Sequence, residues 1–263
     1  MAGEFSLEAF QSQLRTSFMG QRAVYRRSVT STMDVARGEA AAGAPEGTIV
    51  IADEQTAGRG RLGRQWVSPP GTNLYLSVIL RPPATHLRQL SIICPLAICQ
   101  AVEEVTGLAA RIKWPNDVLV DDRKVSGVLL DAELVGDRVQ YAIAGIGLNV
   151  NFDPSTYREL RDIATSLKRE LGREVSREAV LAGLLNHLES LYQGALRGEK
   201  AHAAWKERLD TLGRSVRVRF ADRVEEGVAA DTDSDGALIL RRDDGTTARI
   251  EAGEVTLRPD QAS

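Results

Sequence analysis

Between Ala110 and Asn151 four strand-like segments follow one another with only short breaks: "ARIKW", "DVLVDD", "VSGVLLDAEL" and "RVQYAIAGIGLNVN". Such a run commits this part of the chain to a sheet, because each segment carries β-branched residues among other apolar ones and short breaks separate them. Two further β-rich segments, "GTIVIADEQ" and "NLYLSVILRP", come earlier, bounded by Gly, Pro or Asn. Helical spacing accounts for much of the remainder. Leu90, Ile93, Ala97, Ile98, Ala101, Val102 and Val105 recur at that spacing from Leu87 to Val105, and Pro95 is expected to kink the helix or cut it in two. Ser176 is placed to cap a longer helix, "SREAVLAGLLNHLESLYQGAL", with Val180, Leu184, Leu185, Leu188 and Leu191 as its buried stripe. Residues 1–20 read as a short helix with Phe5, Leu7, Phe10 and Leu14 on its apolar side.

The pattern changes after "TLGRSV". Val216, Val218 and Phe220 alternate with Arg217 and Arg219, and "DTDSDG" and "DDG" supply turns, so short strands with tight connections are expected. A small closed β-barrel of SH3-like type is the expected outcome. With 263 residues, 43% of them hydrophobic, the chain can bury one large core and a small second one. The fold expected is therefore α+β: a mixed sheet packed with helices over residues 1–212 and an SH3-like barrel over residues 213–263.

Several classes of function are disfavoured by composition. Cys94 and Cys99 stand inside the apolar run "SIICPLAICQAV" and match neither a zinc pattern nor a redox pair, so both read as small buried hydrophobes in a reducing compartment. The opening "MAGEFSLEAFQSQL" lacks the plan of a signal peptide, and no apolar run reaches the length of a membrane span, so a cytoplasmic protein without a membrane partner is expected. A formal net charge of −3 argues against a chain that coats nucleic acid. His86, His187 and His202 have no mutual ligand spacing, and the "DTDSDG" segment lacks the closing Glu of a calcium loop.

Against that acidic background, "TAGRGRLGRQW", Thr56 to Trp66, packs three arginines and three glycines into eleven residues, Arg59, Arg61 and Arg64 alternating with Gly58, Gly60 and Gly63. Gly58, Gly60 and Gly63 spell GxGxxG, but the following segment enters a strand and not a helix, which excludes the dinucleotide fingerprint. Arg64 and Gln65 stand where a phosphate-binding P-loop needs Lys and Ser or Thr. Two readings remain, a solvated basic loop and a loop that folds over a polyanion. Glycines that permit close backbone approach, beside arginine forks that match carboxylate and phosphate, favour the second. "KWPNDVLVDDRKVSG" gathers Lys113, Asn116, Asp117 and Lys124, either as a plain turn with Trp114 in the core or as a charged site. "GIGLNVN" ends a strand with glycines and Asn149, consistent with a bulge or a ligand contact.

Taken in order, "GRGRLGRQW", "KWPNDVLV", "KVSGVLL" and "GIGLNVN" closely resemble the motif series of the biotin protein ligase family, and "TSTMD" falls where that family has its Ser-Thr-Asn element. The resemblance runs from about Thr30 to Asn151, continues loosely through "IATSL" near Thr165, and includes a C-terminal segment like the family's small barrel. It implies a catalytic domain of the biotin/lipoate ligase type. The implied reaction joins biotin to AMP using ATP and Mg²⁺, then passes the biotinyl group to one lysine of a biotin carboxyl carrier protein, of acetyl-CoA carboxylase or another biotin-dependent carboxylase.

By the same resemblance Lys124, Arg61, Lys113 and Asp117 are the catalytic set, with Asp117 helping the acceptor lysine lose its proton. Ser31, Thr32, Gln55, Gly58, Arg59, Lys124 and Gly127 are the biotin-binding set. Arg59, Arg61, Arg64, Trp66, Lys113, Asn116, Lys124, Gly147 and Asn149 would hold ATP and the adenylate. No metal ligands are assigned, Mg²⁺ being expected through the ATP phosphates. The loop would be mobile when empty and would shield the adenylate from water when closed. Three positions depart from the pattern: Met33 replaces the usual Asn, Leu62 replaces a cation found in some relatives, and Asp131 stands where Glu is common. A lipoate or octanoate ligase on the same fold is the competing reading. A biotin-sensing repressor is disfavoured, since about twenty residues precede the first motif region and a DNA-binding domain needs more. Edge strands of the catalytic sheet are where a homodimer would form.

Overall fold

A computed structural model describes residues 5–220 and 223–257. The chain begins with helix α1 (Leu7–Gln11), capped by Ser6, and strand β1 (Ala23–Val29), followed by α2 (Thr32–Ala41), β2 (Ile49–Gln55) and β3 (Leu74–Leu80). Helix α3 (Leu90–Thr106) leads to β4 (Arg111–Lys113), β5 (Asp117–Val120), β6 (Arg123–Val135) and β7 (Arg138–Leu148). Helices α4 (Leu167–Leu171), α5 (Arg177–Leu196) and α6 (His202–Glu207) connect to β8 (Ser215–Phe220), β9 (Arg223–Thr232), β10 (Leu238–Arg241), β11 (Thr247–Ile250) and β12 (Glu254–Leu257).

Seven strands form one mixed sheet in the order β1-β2-β3-β7-β6-β5-β4. Only β1 and β2 pair in parallel, and α2 is the crossover between them; every other neighbour is antiparallel. Strand β3 is buried at all seven positions because both faces of the sheet are covered. Its residues alternate between them: Leu76, Val78 and Leu80 join the large core under α3 and α5, while Ile79 joins Met33, Ala36, Ala40 and Val50 under α2.

The architecture is α+β, as the sequence leads one to expect, with three local differences. The first helix covers only Leu7–Gln11, because the chain beyond it is drawn onto α5: the Arg15 amide donates to Asn186 Oδ1 at 2.8 Å, and Glu189 accepts from the amides of Ser17, Phe18 and Met19. Of the two effects expected of Pro95, a kink or a cut, the cut does not occur: helix α3 runs through the proline, with apolar residues buried on both sides of it. The C-terminal strands form a five-stranded antiparallel sheet, β11-β10-β9-β8-β12, in which the last strand lies beside the first and β11 and β12 are not paired among the described residues. Within it Val216 and Val218 are buried and Arg217 and Arg219 exposed, but Phe220, expected beside the valines, is 53% exposed.

The two sheets are tied at one corner. Asp210 N donates to the Ile112 carbonyl, Trp114 N to Thr211 Oγ1 at 2.9 Å, and the Trp114 indole N–H to the Gly236 carbonyl at 2.8 Å. Trp114 is thus a core residue, and the "DTDSDG" segment is a turn in which Asp233 accepts from the amides of Asp235 and Ala237.

Candidate active site

A cavity of about 540 Å³ opens where the α2 face of the large sheet meets the arginine loop. Ser31 caps α2, its hydroxyl accepting from Met33 N at 3.3 Å, so the first turn of that helix stands at one end of the cavity. There Gln55, the last residue of β2, accepts from Thr32 N at 2.9 Å and from the Thr32 hydroxyl at 3.2 Å. Together Ser31, Thr32 and Gln55 form a polar pad.

The arginine loop is folded on itself as a small hairpin. Arg59 bridges Gln65, Gly60 N donates to the Arg64 carbonyl at 2.8 Å, and Leu62 takes a left-handed φ of 56° at the tip. Its three arginines point to three different anchors. Arg59 pairs with Asp34 of α2 at 2.8 Å, Arg61 donates to Asn116 Oδ1 at 2.7 Å, and Arg64 pairs with Glu254 of β12. Burial pulls the Arg61 guanidinium below its ordinary value, against the opposing pull of Asp117 and Glu254.

Lys124 reaches the cavity through an irregularity in β6. Opposite Val118 and Leu119 the register shifts, leaving Val125 as an extra residue. Without it Lys124 would share the core face with Val128 and Leu130; with it Val125 enters the core and Lys124 turns toward Gly127. The Lys124 ammonium lies 2.7 Å from Asp117 Oδ1 and 5.3 Å from the centre of the Trp66 ring. Gly127 and Gly147 form the floor under that ring: a Cβ on Gly147 would stand 2.4 Å from Trp66 Cε2, and one on Gly127 would stand 3.1 Å from Lys124 Nζ. Met33 fills the equivalent hollow at Gly145, where a Cβ would meet its sulfur at 2.7 Å.

Every site residue expected from the sequence lines the cavity except Gly58. Gly58 sits outside it, its missing side chain making room for the Trp66 carbonyl and the Ser68 hydroxyl. Asn149 is at the wall but its amide is committed to Asn73 and to the Thr165 carbonyl, and Asn151 clasps the backbone of Val175. Three contributions are not among the site residues expected from the sequence, although Asp34 ends "TSTMD" and Ile163 and Ala164 open "IATSL": Asp34 as partner of Arg59, the segment Leu160 to Ala164 bridged to Lys124, and residues 253–256 at the edge of the C-terminal sheet. Spacing in the sequence carries no sign that β12 returns to this wall. Cys94 and Cys99 are far from such chemistry; burial pushes both thiols up to about 12. Among the described residues no group of three or more His, Cys, Asp or Glu is placed to hold a metal ion.

Three arginines and two lysines facing a short row of carboxylates, with a polar pad at one end, make a site that draws two anions together, as a ligase activating a carboxylic acid requires. Residues 25–149 match the biotin/lipoate A/B protein ligase family and residues 211–258 match the biotin protein ligase C-terminal domain. The bifunctional ligase/repressor BirA of Bacillus subtilis is 36% identical over 264 residues, covering 95% of this chain and 80% of its own length. The biotin--[acetyl-CoA-carboxylase] ligase of Paracoccus denitrificans is 38% identical, covering 78% of this chain and 88% of its own. Among solved structures, the biotin protein ligase of Aquifex aeolicus in complex with biotin and ATP superimposes with a TM-score of 0.78 at 32% identity, covering 90% of this chain and 99% of that one. The chain belongs to the biotin protein ligases.

Proposed function

We propose that this protein ligates biotin, in an ATP-dependent reaction, to a lysine of a carrier protein. The observation that carries the reading is the division of one cavity into a neutral hydrogen-bonding end, Thr32 with Gln55, and a cationic end of Arg61, Lys113 and Lys124. A ureido ring suits the first end. A carboxylate and a triphosphate suit the second, where Coulomb repulsion between them is the main obstacle to reaction.

In the first step the biotin carboxylate oxygen attacks the α-phosphorus, an acyl–phosphate bond forms and pyrophosphate leaves. Lys124, Arg61 and Lys113 offset the charge that gathers there. In the second step the amine of the acceptor lysine attacks the acyl carbon and AMP leaves. Asp117, within reach of Lys124, is the base assigned to remove the amine proton. Arg59 and Arg64 extend the cationic wall, Trp66 covers the glycine floor, and Asn116 holds Arg61 in place.

Mg²⁺ belongs to the reaction as an ion carried by the triphosphate: among the described residues no group of three or more carboxylates, histidines or cysteines is placed to hold it, and its contribution would be to neutralise phosphate charge. The acceptor we propose is a biotin carboxyl carrier protein. A cytoplasmic setting accords with two buried, unpaired cysteines; no helix among the described residues is long and apolar enough to cross a membrane. Residues 1–212 are assigned as the catalytic segment and 213–263 as the C-terminal one, and β1 or β4, the edges of the large sheet, as the surface of a homodimer.

The test is biotin-dependent exchange of labelled pyrophosphate into ATP by the purified chain, with lipoate in parallel. Exchange with biotin alone is expected. Exchange with lipoate alone would reassign the substrate and keep the fold.

A further inference from the structure

We propose that Ser68 is a positioning residue that couples the biotin-reading side chain Gln55 to the backbone of the arginine loop. Ser68 lies between the loop and β3 and is 8% exposed. Its hydroxyl donates to the Trp66 carbonyl at 3.0 Å and accepts from Gln55 Nε2 at 3.0 Å. A serine hydroxyl has a single proton, so commitment of that proton to Trp66 leaves a lone pair for the amide and fixes the direction of both bonds. Gln55 is thereby held at both ends, its oxygen on Thr32 and its nitrogen on Ser68.

The connection extends in both directions. Behind Thr32, the fully buried Ser77 hydroxyl of β3 donates to Thr32 Oγ1 at 2.9 Å. Beyond Ser68, the Trp66 amide donates to the Gly58 carbonyl at 2.9 Å, and the Trp66 ring rests on Gly147 beside Lys124. One line of hydrogen bonds therefore runs from the central strand, through the polar pad, to the residue that closes over the reacting end.

Gly58 supplies an independent sign that this junction is built. A Cβ there would stand 2.4 Å from the Trp66 carbonyl oxygen, 2.7 Å from Ser68 Oγ and 3.0 Å from Gln55 Nε2. The three members of the relay meet over that one position, and a side chain would force them apart. The first glycine of the loop thus serves the relay and not the ligand.

Coupling of this kind means that occupancy of the polar pad and closure of the loop share a free energy. The inference rests on the reading that Gln55 belongs to the biotin site. It is tested on the full chain with Ser68→Ala, Ser68→Thr, Gly58→Ala and Gln55→Ala. Biotin affinity is measured by titration calorimetry without ATP, the rate of tryptic cleavage after Arg59, Arg61 and Arg64 by mass spectrometry with and without saturating biotin, and folding by the melting temperature of each ligand-free variant.

Biotin is expected to slow cleavage of the unaltered loop. Ser68→Ala is expected to weaken biotin binding about five- to tenfold, the loss of a buried hydrogen bond, and to leave the loop equally cleavable with and without saturating biotin. Ser68→Thr, which keeps the hydroxyl, is expected to restore protection, and Gly58→Ala to abolish it with the hydroxyl intact. A Ser68→Ala variant with unaltered affinity and a protected loop, beside a Gln55→Ala variant that binds biotin weakly, would overturn the coupling and leave the biotin site standing. Unaltered biotin affinity in Gln55→Ala would overturn both. A lowered melting temperature that Ser68→Thr fails to restore would assign Ser68 to packing alone.

Discussion

At the scale of single residues, the site depends on one extra residue in one strand. Strict alternation along β6 would send Lys124 into the core, and the register shift at Val118 and Leu119 sends it to the cavity instead. Lys124→Ala is expected to lower biotin-dependent pyrophosphate exchange by about a hundredfold or more while leaving the melting temperature nearly unchanged, since the ammonium meets developing charge and contributes little to the core. A variant that exchanges pyrophosphate at the normal rate would remove Lys124 from the first step. Gly147→Ala tests the floor. Its added methyl would overlap the Trp66 ring, so biotin and ATP are both expected to bind at least about tenfold more weakly, as read by calorimetry, with the far-ultraviolet dichroism of the native fold retained. Residue identity was the most legible level of the sequence: the spacing of glycines, lysines and asparagines brought all but Gly58 of the expected residues to one cavity. What spacing could not convey was the role of Gly58, which depends on two atoms from residues eight and ten positions away along the chain.

At the scale of elements, legibility followed burial. Helix α5 and strands β3 and β7 were plain because their apolar residues are many and periodic. Strand β1 left no signal, since it is an edge strand with Arg26, Arg27 and Ser28 exposed, and α2 left little, since its buried side includes the small residues Ala36 and Ala40. The N-terminal segment forms a shorter helix than its apolar spacing suggests, for a related reason. Its backbone donors are satisfied by Glu189 on α5, a partner some 170 residues away that no local pattern announces. Burial pushes the Glu189 carboxyl up, but hydrogen bonds from the amides of Met19, Ser17 and Phe18 and from the Ser17 hydroxyl outweigh it and hold the group below the usual glutamate value. Since the native value is the lower one, the stabilisation is fully present above about pH 4.3, the ordinary value in an unfolded chain, and is lost as pH falls through the native value. Glu189→Gln is expected to cost about 1–3 kcal/mol in urea unfolding at neutral pH, and the gap between variant and parent to narrow in acid. A gap that stays constant with pH would mean that the charge of Glu189 contributes nothing.

At the scale of the whole molecule, the large sheet and the smaller one are joined at a corner that also bears chemistry. Trp114, Asn116 and Asp117 are close neighbours in sequence, and the first is anchored to the Gly236 turn while the others face the cavity. Trp114→Phe, which keeps an aromatic side chain but removes the indole donor and part of the buried volume, is expected to lower stability by about 2–4 kcal/mol and to speed hydrogen exchange at the amides of residues 254–256 more than elsewhere. Uniform acceleration across both sheets would show that the indole bond has no special hold on the junction. In the C-terminal sheet, turn residues dictate each hairpin, whereas the pairing that sets the last strand, β12, beside the first, β8, is a long-range one that short-range signals do not encode. That same strand β12 has a further consequence, for the order of synthesis. The cavity takes its other walls from residues up to Ala164, whereas its last wall begins at Gly253, roughly ninety residues later and on the order of ten seconds of translation. The finished pocket therefore exists only once the ribosome has delivered the strand that supplies its last wall.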